Sequence, residues 1–284
     1  MTDRNKGIMW IVLSALGFAI MSAFVKLSGD IPTLQKALFR NAVSILIAYP
    51  LVKINKQSLF GKRENQKYLL LRSILGLLGV ILYFYAIDNL VLSDAEMLNK
   101  LSPFIVIIFC AIFLREKVNK AQWISLLVAF LGCLLIIKPQ FNIQIFPYII
   151  GFISAIFAAG AYTVLRVLKD KEEYYCVVFY FSFFSTVVLL PFVLFDYQPM
   201  TMEQTIYLVL AGVFACIGQF GITLAYKFAP AKEISIFNYF TVVFSGIFSV
   251  VLFSQVPDTL SIIGYLIIFV ASLYMFLYGK KQNT

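Results

Sequence analysis

Two ionisable side chains interrupt a long apolar stretch in the first half of the chain. Glu96 and Lys100 are four residues apart, so a helix places them on one face in the order that favours mutual attraction. A charge deep in a hydrocarbon core is costly and usually faces protein or water. The pair therefore neutralises itself during insertion, contacts a polar or zwitterionic molecule, or does both.

Two asparagines lie at matching places in the two parts of the chain. Asn99 and Asn238 align when the chain is compared with itself at an offset of 139, and the same offset places Tyr239 where Lys100 lies. An amide offers both donors and acceptors, which suits the binding of carboxylate or amide groups. Hydrogen bonding between membrane helices is the alternative role.

Four more side chains are candidates for contact with a bound molecule. Tyr83 follows Gly76 and Gly79 on one helical stripe, and Gln219 lies in the corresponding part of a later apolar run. The glycines more often allow close helix packing than line a cavity. The other two candidates are Ser22 and Tyr162, which correspond at an offset of 140.

A further group of residues has a predicted structural or gating role. Arg40 lies about two turns inside a span, where it snorkels or pairs with an acidic residue such as Asp30, Asp94 or Glu96. Arg72 lies close to a span edge, where snorkelling is sufficient. Glu116 is expected to fix a loop at a helix end, and Pro103 is a natural hinge point.

These residues lie within a chain that reads as ten membrane spans. Hydrophobic residues make up 61% of the 284 positions and charged residues only 13%, which excludes a soluble domain of appreciable size. Each apolar stretch is close to the roughly 20 residues that a spanning helix needs. The approximate limits are 7–28, 33–52, 68–87, 93–114, 120–137, 146–167, 174–195, 205–226, 234–253 and 260–279.

The distribution of basic residues orients these spans. If the N-terminus is cytoplasmic, most Lys and Arg lie in cytoplasmic segments, and only Lys26, Lys36 and Lys138 lie in external ones. This asymmetry is the one that the positive-inside rule requires. It predicts cytoplasmic N- and C-termini, in a multi-pass protein of the cytoplasmic membrane. The net charge of +9 is then a basic rim facing membrane lipids, and nucleic acid is not an expected partner.

Several function classes are disfavoured by composition and motifs. The chain has no His, and its four Cys residues all lie in apolar spans without a C-x-x-C pattern, so neither a metal nor a cofactor is expected. The sequence also lacks a Walker A motif and the common hydrolase signatures. An enzyme is therefore not expected, although an intramembrane enzyme remains a minor alternative.

An internal repeat divides the chain into residues 1–139 and 146–281. At an offset of 139, Gly79 meets Gly218 and Asn99 meets Asn238, while at 140 Ser14 meets Ser154. Each half holds five spans, an odd number, so the second half is inverted relative to the first. Secondary transporters commonly use this plan, with the substrate near the midplane between repeats.

The block from Ala86 to Lys117 is similar to the helix 3–4 block of the EamA-type drug/metabolite transporters. Arg115 stands where that family has a glycine, and Gln255 stands where the second copy usually has an acidic residue. Arg40 resembles an arginine often seen in the second helix, although its counterpart here is Tyr180. The resemblance implies ten helices around a central cavity lined largely by helices 1, 3, 4, 6, 8 and 9, moving small metabolites, often outward.

The expected function is therefore transport of a small polar metabolite, an amino acid or related molecule, by alternating access and in the export direction. Uptake or exchange by the same fold remains open, and a channel or lipid scramblase is less favoured. Proton coupling would need Glu96 or Asp94 in the pathway, and counter-substrate exchange is as plausible. A monomer and a homodimer both remain open.

Overall fold

The computed structural model describes residues 2–115, 118–138, 145–168, 171–228 and 234–281. Within these ranges the chain forms α-helices, together with short 3-10 helices at Arg63–Asn65 and Ser235–Tyr239. The α-helices in chain order are α1 Asp3–Leu27, α2 Thr33–Ile54, α3 Gln66–Asn89, α4 Leu92–Asn99, α5 Ser102–Phe113, α6 Lys120–Ile137, α7 Phe146–Leu168, α8 Tyr174–Phe195, α9 Met202–Phe228, α10 Phe240–Phe253 and α11 Thr259–Lys281. They provide ten segments long and apolar enough to cross a membrane. The predicted all-helical fold with ten spans is confirmed.

Helices form here because apolar segments in lipid must satisfy their backbone groups internally. Hydroxyl side chains inside the helices follow the same requirement by bonding to a carbonyl one turn earlier. Ser44 Oγ donates to the Arg40 carbonyl at 2.9 Å, and Ser73 Oγ donates to the Leu69 carbonyl at 2.8 Å. Such bonds allow small polar residues inside a bundle without unpaired donors.

The fourth span is broken, whereas the sequence predicts one continuous stretch over 93–114. It ends as α4 at Asn99 and resumes as α5 at Ser102. Pro103 explains the break, because proline has no N–H for the Asn99 carbonyl and its ring clashes with that carbonyl in a continuous helix. As a result, Pro103 lies in the first turn of α5, where proline is well tolerated.

Helices of the first half pack against helices of the second half. The most extensive contacts are those of α1 with α9, α3 with α7, α6 with α11 and α2 with α8. Exchanging the two halves converts the α1–α9 pair into the α7–α3 pair and leaves the other two pairs unchanged. The packing therefore has the pattern expected of two similar halves.

Two glycines allow close contacts at corresponding positions of the α3–α7 and α1–α9 pairs. A Cβ added to Gly79 on α3 would lie 3.3 Å from the Ala158 backbone nitrogen on α7. A Cβ added to Gly218 on α9 would lie 2.8 Å from the Phe18 ring on α1. Gly79 corresponds to Gly218 in the repeat, and Phe18 corresponds to Ala158, so both interfaces use the same register.

Polar contacts join the halves at both ends of the bundle. We call the end where α1 begins and α11 ends the terminal face, and the other end the distal face. At the terminal face, Glu172 accepts hydrogen bonds of 2.7 Å from the Lys62 backbone and the Asn65 side chain. At the distal face, Gln35 and Gln198 exchange two hydrogen bonds.

An ion pair at the distal face links the residue that follows α6 to the residue that precedes α11. Lys138 donates to the Asp258 carboxylate, which also accepts from the Ser261 backbone N–H at 2.8 Å. Partial burial opposes ionisation of this carboxyl, but these two donors hold the pKa of Asp258 below its ordinary value. The distal contacts therefore include a stably charged pair.

Candidate functional site

A buried carboxylate lies among three helices of the first half. Glu96 on α4 is 2% exposed, and its Oε1 accepts a 2.8 Å hydrogen bond from the Ser22 hydroxyl on α1. The Tyr83 hydroxyl on α3 lies 3.0 Å from the same serine oxygen. Because the Ser22 proton is directed at Glu96, Tyr83 donates to Ser22. We call these three residues the Glu96 cluster.

The i, i+4 contact expected between Glu96 and Lys100 is not a close ion pair. Among the residues that the structure describes, the ion pairs are Lys6–Asp3, Lys36–Asp88 and Lys138–Asp258. Lys100 is half-buried at the end of α4 and interacts with Glu96 at longer range. The Lys100 backbone N–H still donates to the Glu96 carbonyl at 3.0 Å, so the helical turn is kept, and the carboxylate is bonded to Ser22 instead.

The fourth span is interrupted after Asn99, and the ninth span has a 3-10 helix at the corresponding position. Lys100 caps the end of α4, and Tyr239 ends the 3-10 helix that precedes α10. The Tyr239 hydroxyl donates to the Lys100 carbonyl at 3.4 Å, so these repeat-related residues touch. The Oδ1 atom of neighbouring Asn238 is buried without a hydrogen-bond partner in the described part of the chain.

Two arginines are buried beside one aromatic ring. Arg40 on α2 and Arg72 on α3 are 6% and 8% exposed. Their guanidinium carbons lie 5.9 Å and 4.1 Å from the centre of the Phe181 ring on α8. Arg40 Nη1 donates to Asn41 Oδ1 at 3.2 Å. Arg40 Nε and the Nε and Nη1 of Arg72 have no hydrogen-bond partner among the described residues.

The outcome for both arginines differs from the sequence-based expectation. Arg72 does not snorkel, because its Nη1 lies 3.1 Å from where a Cβ on Gly76, one turn deeper in the membrane, would be. Arg40 forms no ion pair with an acidic residue in the described ranges. Asp94, one of its expected partners, instead accepts a hydrogen bond from Tyr265.

The arginines line a narrow cavity between the two halves of the chain. Ser44 on α2 and Ser182 on α8 also line it, together with Cys216 and Gln219 on α9. The Cys216 Sγ on α9 lies 3.5 Å from the Ser44 Oγ on α2. We call the cavity formed by Arg40, Arg72, Ser44, Phe181, Ser182, Cys216 and Gln219 the arginine pocket.

Tyr162 on α7 connects the arginine pocket with the Glu96 cluster. Its side chain interacts electrostatically with Arg40, Arg72 and Glu96, all of which are buried. Tyr162 itself is nevertheless 49% exposed. Because Ser22 and Tyr162 correspond in the two halves, equivalent helix positions serve the two sites.

The other predicted residues have separate positions. Asn99 is half-buried at the end of α4, and Pro103 is exposed in the first turn of α5. Glu116 lies outside the described residues. Sequence reasoning missed Arg72 and Phe181 as pocket residues; the available signal was an arginine one turn before Gly76 within an apolar run.

Comparison with known proteins assigns this architecture. The sequence profile of the EamA-like transporter family matches residues 5–138 and 145–277, which together form nearly the whole chain. This chain belongs to the EamA-like transporter family. The resemblance to the drug/metabolite transporters is confirmed, and the chain is a multi-pass membrane transporter of that family.

Several members of this family resemble the chain over most of its length. The pseudopaline exporter of Pseudomonas aeruginosa is 35% identical over 270 residues, covering 94% of both chains. The riboflavin transporter of Vibrio cholerae is 27% identical over 290 residues, covering 98% of this chain and 95% of that protein. Human solute carrier family 35 member G1 is 28% identical, covering 92% of this chain and 76% of its own length.

A solved crystal structure shares the fold of this EamA-like chain. It is 14% identical in sequence, and the superposition covers 99% of both chains with a TM-score of 0.67. At this identity the likeness concerns the arrangement of helices alone.

Proposed function

We propose that this chain is a secondary transporter that exports a small polar organic molecule, an amino acid or a related compound, by alternating access. The proposal places it in the cytoplasmic membrane with both termini in the cytoplasm. The terminal face is then cytoplasmic, in agreement with the basic residues concentrated in the segments that end there.

The observation that carries this proposal is the location of the polar groups. The Glu96 cluster lies next to a break in the fourth span, and Tyr239, in the 3-10 helix at the corresponding position of the ninth span, contacts Lys100. Discontinuous helices at the contact of inverted repeats are a recurring place for substrate sites in secondary transporters. Tyr162 and Gln219 add polar groups from the second half, Asn99 lies beside the break, and Asn238 lies in the 3-10 helix.

Two inverted halves, residues 1–139 and 146–281, supply the mechanism. Contacts between the halves at the terminal face and at the distal face break in turn, so that the central groups are open to one side at a time. Near-equivalent halves make the two states close in energy, since each half takes the other's conformation. Arg40 and Pro103 are then positioned to influence this exchange, and a proton or a counter-substrate drives it.

The names of the relatives support the transport of organic molecules. The Pseudomonas protein is named an exporter and the Vibrio protein a riboflavin transporter. The identity of 35% over nearly the whole chain favours outward movement of a polar metabolite. Uptake or exchange by the same fold is the outcome that a direction measurement would distinguish.

Lys100→Met tests the function in cells. Cells that express the wild-type chain should release at least one small polar metabolite into the medium, as measured by mass spectrometry. The variant should reach the membrane in equal amount and release none, because it has no ammonium beside the helix break. Lys120→Met, at an exposed helix start, is the control and should behave as wild type.

Two outcomes in cells are decisive, and a measurement in liposomes distinguishes a carrier from a channel. Equal release from cells with Lys100→Met contradicts the role of Lys100 but not transport itself. The absence of any metabolite whose release depends on the wild-type chain contradicts export. In liposomes, stimulation of uptake by internal substrate identifies a carrier, and its absence with non-saturating flux identifies a channel.

A further inference from the structure

The arginine pocket contains two buried positive charges without a negative partner. Arg40 and Arg72 are both more than nine-tenths buried. In the described part of the chain, neither makes an ion pair, and three of their guanidinium nitrogens have no hydrogen-bond acceptor. Leaving a buried charge unpaired is strongly destabilising. The two guanidinium groups also repel each other electrostatically.

The conformation of Arg72 makes this arrangement more costly still. Side chains on a helix point toward its N-terminus, which for α3 is the terminal face six residues away. Arg72 would reach water there with little rearrangement. Instead its Nη1 lies against Gly76, in the opposite direction, and beside the Phe181 ring. The fold thus holds the guanidinium inside the bundle.

Gly76 is the residue that permits this conformation. A Cβ at that position would lie 3.0 Å from the Phe181 ring and 3.1 Å from Arg72 Nη1. A side chain of any size would therefore displace the ring or the guanidinium. The ring in turn accepts cation–π contacts from both arginines, which orients the groups without neutralising them.

The two buried arginines occur in the first half of the chain and have no charged counterparts at the corresponding positions of the second half. The residues that correspond to Arg40 and Arg72 in the second half are Tyr180 and Ala211. A purely structural feature of the repeat would be expected on both sides of the bundle. The pocket is also lined by both halves, with α2 and α3 facing α8 and α9, so movement of the halves would open and close it.

We propose that Arg40 and Arg72 bind a carboxylate group of the transported molecule, and that its amino group lies toward Glu96. Planar guanidinium groups match carboxylates through paired, charge-assisted hydrogen bonds. The unpaired nitrogens of both arginines supply the donors, and Ser44, Ser182 and Gln219 add polar neighbours. Tyr162 lies within electrostatic range of both arginines and of Glu96, so the negative and positive groups surround one tyrosine.

The position of Glu96 favours molecules that carry both an amino group and a carboxylate over simple anions. A molecule with negative charge alone, such as inorganic phosphate, would meet repulsion from the Glu96 carboxylate. An amino carboxylate presents opposite charges to the two sites. This substrate class rests on the proposed transport function and narrows it to molecules with both groups.

The first experiment measures stability without any ligand. Arg72→Gln and the double variant Arg40→Gln with Arg72→Gln are purified in detergent and melted beside the wild-type chain. Removal of an unpaired buried charge should leave the melting temperature unchanged or raise it. A clear fall would show that the arginines have a structural partner and would overturn the proposal. Arg63→Gln, at an exposed position, is the control.

The second experiment measures ligand binding by thermal shift with defined probes. The twenty amino acids are each compared with the corresponding α-amide, which keeps the amino group and removes the carboxylate charge. At least one amino acid should stabilise the wild-type chain. The corresponding amide should bind with an affinity that is lower by about tenfold or more. In Arg72→Gln, the amino acid and its amide should bind with equal affinity. No stabilising amino acid, or equal binding of an amide, contradicts the proposal.

The third experiment separates this inference from the transport function. Compounds whose release depends on the wild-type chain are identified by mass spectrometry, and their functional groups are determined. If they carry an amino group and a carboxylate and their release falls about tenfold or more with Arg72→Gln, the proposal is supported. If they are released but lack a carboxylate, the inference fails while transport stands. If nothing is released, the transport function fails first.

Discussion

At the residue scale, Glu96 is held by hydroxyl groups from other helices and not by the lysine four positions later. Ser22 donates to its carboxylate directly and Tyr83 donates to Ser22. A carboxylate that accepts from a neutral hydroxyl keeps its negative charge available for a second partner. The Glu96 cluster is thus prepared to meet a positively charged group or a proton from the central space.

Glu96→Gln is expected to lower transport in proteoliposomes by about tenfold to a hundredfold at low substrate concentration. The amide keeps the size of the side chain but loses charge-assisted hydrogen bonds, which contribute about 1.5–3 kcal/mol each. Glu64→Gln, in the exposed 3-10 helix, should transport as wild type. An initial rate for Glu96→Gln within twofold of the wild-type rate would place Glu96 outside the pathway.

At the element scale, the residues that follow α5 and α10 both adopt a left-handed backbone. Arg115 follows α5 with a φ of 55°, and Ser254 follows α10 with a φ of 52°. The two residues occupy equivalent places in the two repeats. Arg115 stands where the resemblance to the family predicts a glycine. A glycine would suit this position, because only glycine adopts this conformation without steric cost.

Arg115→Gly and Ser254→Gly should each stabilise the protein by about 1 kcal/mol, the approximate steric cost of a left-handed residue with a Cβ. Equilibrium unfolding in sodium dodecyl sulfate measures the change. Arg115→Ala is the matched control, since alanine removes the charge but retains the Cβ. Equal stabilisation by alanine and glycine would attribute the effect to charge and not to backbone conformation.

A second element-scale feature is the hydroxyl that links α11 to α4 near the distal face. Tyr265 donates to the Asp94 carboxylate and lies 3.1 Å from the Ser93 hydroxyl. Because α4 belongs to the first half and α11 to the second, this contact closes the bundle at that end. Its loss should favour the state that is open at the distal face.

Tyr265→Phe should therefore increase the rate at which a distal-side maleimide labels a cysteine introduced at Met97. Met97 is buried beside Glu96, so labelling reports opening of the central region. Tyr274→Phe is the control, because Tyr274 is on the same helix but exposed. It should not change the rate at which the cysteine introduced at Met97 is labelled. An unchanged rate with Tyr265→Phe would show that this hydroxyl does not hold the distal face closed.

At the scale of the whole molecule, the two halves define which loops share a face. Glu172, between α7 and α8, accepts from the backbone of Lys62, between α2 and α3. These loops belong to different halves and meet at the terminal face. An inverted repeat requires such a meeting, because the fifth span of the first half carries the chain across before the second half begins.

Cysteines introduced at Lys62 and Lys171 should both react with an impermeant maleimide from the cytoplasmic side. A cysteine at Asp196, exposed at the end of α8, should react only from outside. The four native cysteines are buried, so the background should be low. Reaction of the Lys62 and Lys171 variants from opposite sides would remove the basis for inverted halves and for the transport mechanism.

The sequence by itself determined the ten spans, and the resemblance of one block to a known family indicated the family. The spans follow from run length and composition, which act locally and need no knowledge of neighbours. It also identified Glu96, Lys100 and Tyr239 as polar groups in apolar surroundings, although it assigned Glu96 a partner on its own helix.

Only the tertiary structure decided which of these groups meet. The i, i+4 spacing does place Glu96 and Lys100 on one helical turn, but a hydroxyl from another helix, that of Ser22, bonds to the Glu96 carboxylate. Arg72 was expected at the interface because snorkelling is cheap for an isolated helix. Packing of Phe181 against Gly76 holds the guanidinium inside instead, since contacts between distant helices decide the direction of a long side chain.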